Sequence, residues 1–374
     1  MKFVILNSDY PVFIESVAKQ DTSFLSVTYD EQTKIYFDKF FGTANFYSKN
    51  LCLLGHEAQD FVINNQYLQK KWLVDHDLSY NKILELFDKN RILRTLKRKF
   101  YFSSDWYYKA ILAQIKEYRP DVIYIQLMAH ISPVFLKKIK KYCKLLVGQI
   151  ACPMPSLNYF KDYDLILSSL PNYVEKFKKA GIKSEYFKLG FEKEVLNNLS
   201  KKDNFFDVVH IGGYGPVHNE RNALLEKVSK IVPIDFWGYG VNNLSSESPI
   251  RKKIHGESWG VNMFETLYNS KITMTKHIDS VAGEYANNMT LFEATGVGTL
   301  LITDEKKNLS ELFKIGEEVV TYKNAEDLAD KIKYYLDHEE ERKKIALAGQ
   351  RRTLTEHTYT NRMQELIKII ENYL

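Results

Sequence analysis

The feature that most constrains this chain is an alternation. Short apolar runs end in polar or glycine-rich turns, and each is followed by a segment with helical spacing. KFVIL (residues 2–6) stops at Asn7, Ser8 and Asp9, while DVIYIQ (121–126) follows a helix that must end near Arg119 because of Pro120. DLILS (164–168) and FDVVHI (206–211) repeat the pattern, and further strands are expected at 145–150, 234–237, 272–274, 299–303 and 319–321. Helical spacing covers 31–55, 81–100, 105–118, 132–141, 172–180, 220–231, 289–295, 325–336, 339–349 and 360–373. Strands buried on both faces read as unbroken apolar runs, and their alternation with helices predicts parallel sheets covered by helices, an α/β class.

The polar stretch LNNLSKKDN (196–204) interrupts this alternation, after which it restarts. At 374 residues the chain is long enough for two domains of roughly 100–200 residues each. Two doubly wound domains facing across a cleft are the simplest account. No window holds the ~20 apolar residues of a membrane span, and the apolar run at the N-terminus is too short for a signal peptide. Three cysteines without CxxC spacing argue against a disulfide scaffold or a zinc ribbon. The expected location is the cytoplasm.

Charge is unevenly spread. Residues 1–200 carry 29 Lys and Arg against 21 Asp and Glu, a net +8, and residues 201–374 carry 23 against 26, a net −3. The densest basic run, RILRTLKRKF (91–100), reads either as a solvated helix face or as an attractor for an anionic acceptor or phospholipid surface. No recognition motif accompanies it, so nucleic acid is not an expected partner.

In open parallel sheets, ligands bind beyond the carboxyl ends of the strands. That rule selects Asp9, Tyr10, Gln126, His130 and Gln149 in the first half. In the second half it selects 212–215, 238–240, 275–279 and Asp304. HIGGYG (210–215) joins a strand to a helix, and its glycines either serve the turn or let a phosphate approach backbone N–H groups. The spacing is not GxGxxG and no acidic residue closes the next strand, which disfavours a dinucleotide dehydrogenase. His218 and Arg221 follow, and Arg221 could pair with a diphosphate through its forked guanidinium. Trp237, beside Gly238, is a base-stacking ring or simply core. Lys276, His277 and Asp279 end another strand with a cation, an imidazole and a carboxylate. In GEYANNMTLFEATGVGTLLITD (283–304), Asn287 and Asn288 are helix-cap residues. Glu293 is expected mid-helix between Phe292 and Ala294, where it needs donors: two ribose hydroxyls, or a Lys or Arg.

The segments NNMTLFEATGVGTLLITD, NLSELFKIGEEVVTY, AEDLADKIKYYL and GQRRTLTEHTYTNRM together resemble the CgeB-like, spore-protein-type glycosyltransferases, densely over residues 205–365. The resemblance implies a GT-B fold, with an acceptor domain at 1–200 and a nucleotide-sugar donor domain at 201–358. It also implies a helix at 359–374 that returns to the first domain. Carried over by position, Gly212, Gly213, His218 and Arg221 fall on the diphosphate side, with Trp237 and Gly238 beside it. Lys276, His277 and Asp279 lie near the donor sugar and phosphates. Asn287, Asn288, Met289, Phe292 and Glu293 lie on the nucleotide-binding helix, with Glu293 at the ribose. Two departures stand out: Thr290 where many relatives have Arg, and eight rather than seven residues between Glu284 and Glu293.

The function this implies is sugar transfer from a nucleoside diphosphate sugar to a glycan, lipid-linked or protein acceptor, in surface polysaccharide or glycoconjugate assembly. Peripheral contact with the inner membrane face stays open. No metal or other cofactor is expected, since side-chain cations and a helix N-terminus can stabilise the leaving diphosphate. His277 and Asp279 are the catalytic candidates at the donor. Asp9 is the candidate base, with His130 second, and Tyr10, Gln126 and Gln149 complete the acceptor side. Fold analogy leans toward retention of anomeric configuration. The alternatives are a nucleotide-sugar epimerase on the same fold and a degenerate, non-catalytic binding module.

Overall fold

The computed structural model describes residues 1–20, 22–78, 106–126, 128, 131–202 and 206–374. The basic run at 91–100, the helical spacing at 81–100 and His130 lie outside them.

The first sheet has six parallel strands: β1 (Lys2–Asn7), β2 (Glu57–Val62), β3 (Val122–Ile125), β4 (Leu145–Gln149), β5 (Leu165–Ser168) and β6 (Ser184–Tyr186). Their spatial order is β2-β1-β3-β4-β5-β6. Helices Pro11–Gln20, Phe46–Leu53, Trp106–Tyr118, Pro133–Ile139 and Pro171–Lys179 are among those connecting them. The second sheet, also parallel, runs β11-β10-β9-β7-β8. It is built from β7 (Phe206–Gly213), β8 (Asp235–Tyr239), β9 (Ser270–Thr275), β10 (Leu300–Asp304) and β11 (Val320–Tyr322). The central strands have the composition that this position demands: Phe3 to Leu6, Ile123 to Ile125 and Leu300 to Ile302 are wholly buried.

In each sheet the chain leaves a central strand on one side and returns on the other. β1 is flanked by β2 and β3, and β7 by β8 and β9. Connections that diverge in this way leave a crevice at the carboxyl ends of the two strands. The two crevices therefore lie after β1 and β3, and after β7 and β9.

The last helix, Tyr359–Glu371, begins with a capping box at Thr358 and packs back on the first domain. Tyr359 meets Phe46 and Tyr47 at 5.2 and 5.5 Å, and Thr360 donates to Asn50. Among the described residues, no helix is long and apolar enough to cross a membrane.

Several elements differ from the sequence expectation. The strand expected at 234–237 is Asp235–Tyr239. Strand β2 and helices Pro11–Gln20 and Gln66–Asp75 had no clear signal. EAQDFV places a single apolar pair at one end of an edge strand, and the two helices are short. Glu293, by contrast, is the fourth of the eight residues of helix Thr290–Val297, in its middle as the spacing predicts.

Candidate active site

The crevice of the second domain contains a cavity of about 240 Å³ between the segment after β7 and the segment after β9. His218, Glu220, Arg221, His277 and Asp279 are among its lining residues. Its floor depends on close backbone passage. Gly238 has φ +139°, and a Cβ there would lie 1.7 Å from the Gly212 carbonyl oxygen. A Cβ on Gly213 would lie 2.8 Å from the Tyr239 ring. Gly238 is therefore required by strand packing, and Gly213 makes room for the Tyr239 ring.

Arg221 sits one turn into helix Asn219–Val228 and is only 8% exposed. Its guanidinium donates to the Gly213 carbonyl, while Nε has no partner among the described residues. His218 is half-buried and its Nδ1 is likewise unpartnered. Burial, reinforced by Arg221, pushes its pKa down to about 4, so the ring is neutral. His210, beneath them, donates to or accepts from Tyr214 at 3.1 Å and is held neutral first by burial and then by Arg221.

Strand register brings the next pair together. Thr275 pairs with Thr303, so the residues just past both strand ends are neighbours. The Asp304 carboxylate accepts from the His277 backbone N–H at 3.0 Å and from its Nδ1 at 2.7 Å. Burial opposes the charge on Asp304, but the bonds from His277 hold its pKa below the usual range. The carboxylate thus holds a proton on Nδ1, while Nε2 is buried and without a described partner. Asp279 is different from the sequence expectation. Against its partial burial, Lys276 and Lys306 pull its pKa down to about 2. A carboxylate bonded to two lysines is a counter-ion that places them, and a poor base.

The start of helix Thr290–Val297 is tied to the end of β9. Asn288 accepts from the Thr290 N–H at 2.9 Å and donates to Thr275 at 2.7 Å. Asn287 reaches the first domain, accepting from the Ser169 hydroxyl and donating to the Ala151 carbonyl. Met289 is the N-cap residue. Burial pushes the Glu293 carboxyl up to about 7, with a hydrogen bond from Thr290 working against the shift. No Lys or Arg pairs with it among the described residues. Phe292 and Trp237 depart from the donor-binding expectation. Phe292 is 2% exposed and packs on Phe313 and His357, so it is core. Trp237 has one face stacked on His255 at 4.4 Å and meets Phe206 in a T-shaped contact at 4.8 Å, so protein rings already occupy part of the platform expected for a base.

In the first domain, Asp9 follows β1 and is largely buried. Burial raises its pKa to about 6, and a 2.7 Å bond from the Tyr36 hydroxyl limits the rise. Asn64 binds the Asp9 backbone from both sides, accepting from N–H and donating to C=O. Tyr10 is half exposed. Gln126 accepts from Thr43 at 2.9 Å, and Gln149 accepts from both Tyr47 and Tyr124. Those two carboxamides brace the crevice wall; Gln149 is 8% exposed and belongs to the core.

Residue-type reasoning missed Asp304 as the partner of His277, Lys306 as the second cation on Asp279, and Tyr36 as the donor to Asp9. The first had a usable signal, since both residues directly follow strands that sheet order makes neighbours. The other two come from packing between distant segments.

Comparison with known proteins bears on the family and the fold. Residues 221–368 match the family described as glycosyl transferase-like. No curated protein matches the sequence significantly. Among solved structures, Alr3699/HepE of Anabaena in complex with UDP-glucose is similar over 100% of both chains, at TM-score 0.61 and 12% identity. A glycosyltransferase from Rickettsia africae is similar over 100% of this chain and 98% of its own, at TM-score 0.58 and 14% identity. Sucrose-phosphate synthase from Thermosynechococcus elongatus covers the same shares at TM-score 0.58 and 9% identity. The fold is GT-B, with two Rossmann-like α/β domains.

Proposed function

We propose that the chain is a glycosyltransferase of the CgeB-like branch that moves a sugar from a nucleoside diphosphate sugar to an acceptor hydroxyl. The observation that carries this reading is a cavity lined by His218, Arg221 and His277, each of which also holds a buried nitrogen, Nδ1, Nε and Nε2 respectively, without a protein partner among the described residues. Buried polar atoms are nearly always hydrogen-bonded, so these await a polar ligand. Arg221 and Lys276 would meet the diphosphate and Glu293 the ribose. The UDP-glucose held by the similar Anabaena protein supports a nucleotide-sugar donor here.

In the transfer, the acceptor oxygen attacks the anomeric carbon and its proton passes to Asp9. The bond from that carbon to the diphosphate breaks, and its electron pair leaves with the diphosphate, whose charge is met by Arg221 and Lys276 rather than by a metal. A largely buried carboxylate with a pKa near 6 is poised as a base at neutral pH. A base of this kind is what direct displacement with inversion requires, whereas the retention suggested by fold analogy needs none. The acceptor belongs to surface polysaccharide or glycoconjugate assembly, on the cytoplasmic side.

The test is calorimetric titration with UDP, GDP and dTDP, followed by incubation of the bound sugar nucleotide with and without an acceptor extract. Binding of one nucleotide and acceptor-dependent release of it support the reading. Turnover of the donor alone to a new sugar nucleotide would make the protein an epimerase. Binding without turnover would make it a binding module.

A further inference from the structure

Four aromatic rings meet where the domains face each other, and the donor cavity uses none of them. The Tyr10 ring lies 5.7 Å from Phe41, 5.5 Å from Tyr239 and 5.8 Å from Trp259. Tyr239 and Trp259 come from the second domain and stack at 5.3 Å with their planes 26° apart. A backbone clasp sets this meeting. The Val261 N–H donates to the Lys39 carbonyl at 2.9 Å. Gly260, at φ +54°, allows that carbonyl to come where a Cβ would lie only 1.9 Å away.

With three ring neighbours, Tyr10 still leaves 50% of its surface open. None of the three lies parallel to it, so no neighbour covers its face by stacking. A ring that served only to seal the joint would be covered. Its setting is also specific. Asp9 is the preceding residue, and among the described residues only one of its carboxylate oxygens is bonded, by Tyr36. Tyr239 overlies the glycine turn whose carbonyl holds Arg221. Tyr10 therefore stands between the candidate base and the donor turn.

An open aromatic face beside hydrogen-bonding side chains suits a ligand with one apolar face and a polar rim. A pyranose is such a ligand: its C–H bonds lie on the ring and its hydroxyls turn to the edge. Two carboxylates stand at the Tyr10 and Trp259 end of the cluster, Asp9 beside Tyr10 and Glu257, which accepts from Trp259 Nε1 at 2.9 Å, while the one cation acting on Tyr239 among the described residues, Arg221, is buried and bonded to the Gly213 carbonyl. They suit a neutral ligand better than an anionic one. We propose that Tyr10, backed by Tyr239 and Trp259, is the acceptor platform, and that the acceptor presents a neutral pyranose ring rather than a lipid phosphate or a peptide hydroxyl. This rests on the transferase reading and names its acceptor class.

The probe is a panel of neutral hexose and N-acetylhexosamine trisaccharides, followed by saturation-transfer NMR on the full chain with nucleoside diphosphate present. The expected result is contact through the C–H face of at least one saccharide. Tyr10→Ala should weaken it about tenfold, and Tyr10→Phe should restore most of it. Nucleotide affinity, measured separately, should change less than about threefold in both variants, and Tyr10 is exposed enough for both to fold. Absence of saccharide contact while nucleotide binds overturns this proposal alone; absence of nucleotide binding overturns the donor reading itself. Unchanged saccharide binding in Tyr10→Ala, with a larger radius of gyration by solution scattering, would make the cluster a latch and overturn the platform.

Discussion

The two crevices occupy equivalent places in the two sheets, yet they are finished differently. After β7 and β9, buried nitrogens stand without partners, and cations are arranged around Asp279 and Asp304. After β1 and β3, the oxygens of the wall amides already accept from tyrosine and threonine hydroxyls, and one buried amide nitrogen, Gln126 Nε2, lacks a partner among the described residues. Beside it stand a single carboxylate and a half-exposed ring. The proposed function assigns an anion to the crevice with the cations and a neutral hydroxyl-bearing ligand to the other. The charge of the halves runs the opposite way, +8 in residues 1–200 and −3 in residues 201–374. Net charge of a segment describes its whole surface, whereas a site is defined by the few groups that face the ligand.

Substitutions that remove one crevice's chemistry without touching the other's would sharpen or break this contrast. Asp9→Asn should lower kcat by about 10³-fold with donor affinity intact, the usual scale for loss of a general base. In the wild type, kcat should fall as pH drops through about 6, the value at which Asp9 takes up its proton. Steady-state kinetics with separate donor titration reads both; a donor Kd that shifts with Asp9 would join the two crevices functionally. Arg221→Gln should weaken nucleoside diphosphate binding about 10²-fold, seen by calorimetry after circular dichroism has confirmed the fold. Glu293→Gln should raise the donor KM roughly tenfold with little change in kcat, because a ribose contact is made in ground and transition states alike.

A smaller effect follows from the pKa of Glu293. Burial keeps its carboxyl partly protonated at neutral pH, at about 7. Ribose hydroxyls donate to the ionised form, so nucleotide binding must expel that proton. Affinity should therefore rise severalfold between pH 6 and 8, and Glu293→Gln should flatten the curve. A curve that falls with pH would place the ribose elsewhere.

Much of this was legible in the sequence, and the reasons differ by element. The buried strands announced themselves through unbroken apolar runs, and the glycine turn, Arg221 and Glu293 fell at strand and helix ends where a parallel sheet places ligands. Trp237 was ambiguous because the residue that covers it, His255, lies 18 positions on in the chain and joins no periodic pattern with it. Gln149 was taken for a site residue on its strand-end position alone. The hydroxyls that occupy it belong to Tyr47, 102 residues away, and Tyr124, 25 residues away. Asp279 showed its charge but not its two lysines. Local pattern specifies where a side chain starts; long-range packing decides whether it is still free when the fold is complete.

The most direct measurement is a crystal structure of the chain soaked with the nucleoside diphosphate that binds best. The account predicts phosphate oxygens within hydrogen-bond distance of Arg221 and His277 Nε2, with the ribose hydroxyls on Glu293. A nucleotide bound in the crevice after β1 and β3, with the cavity beside Arg221 empty, would contradict it.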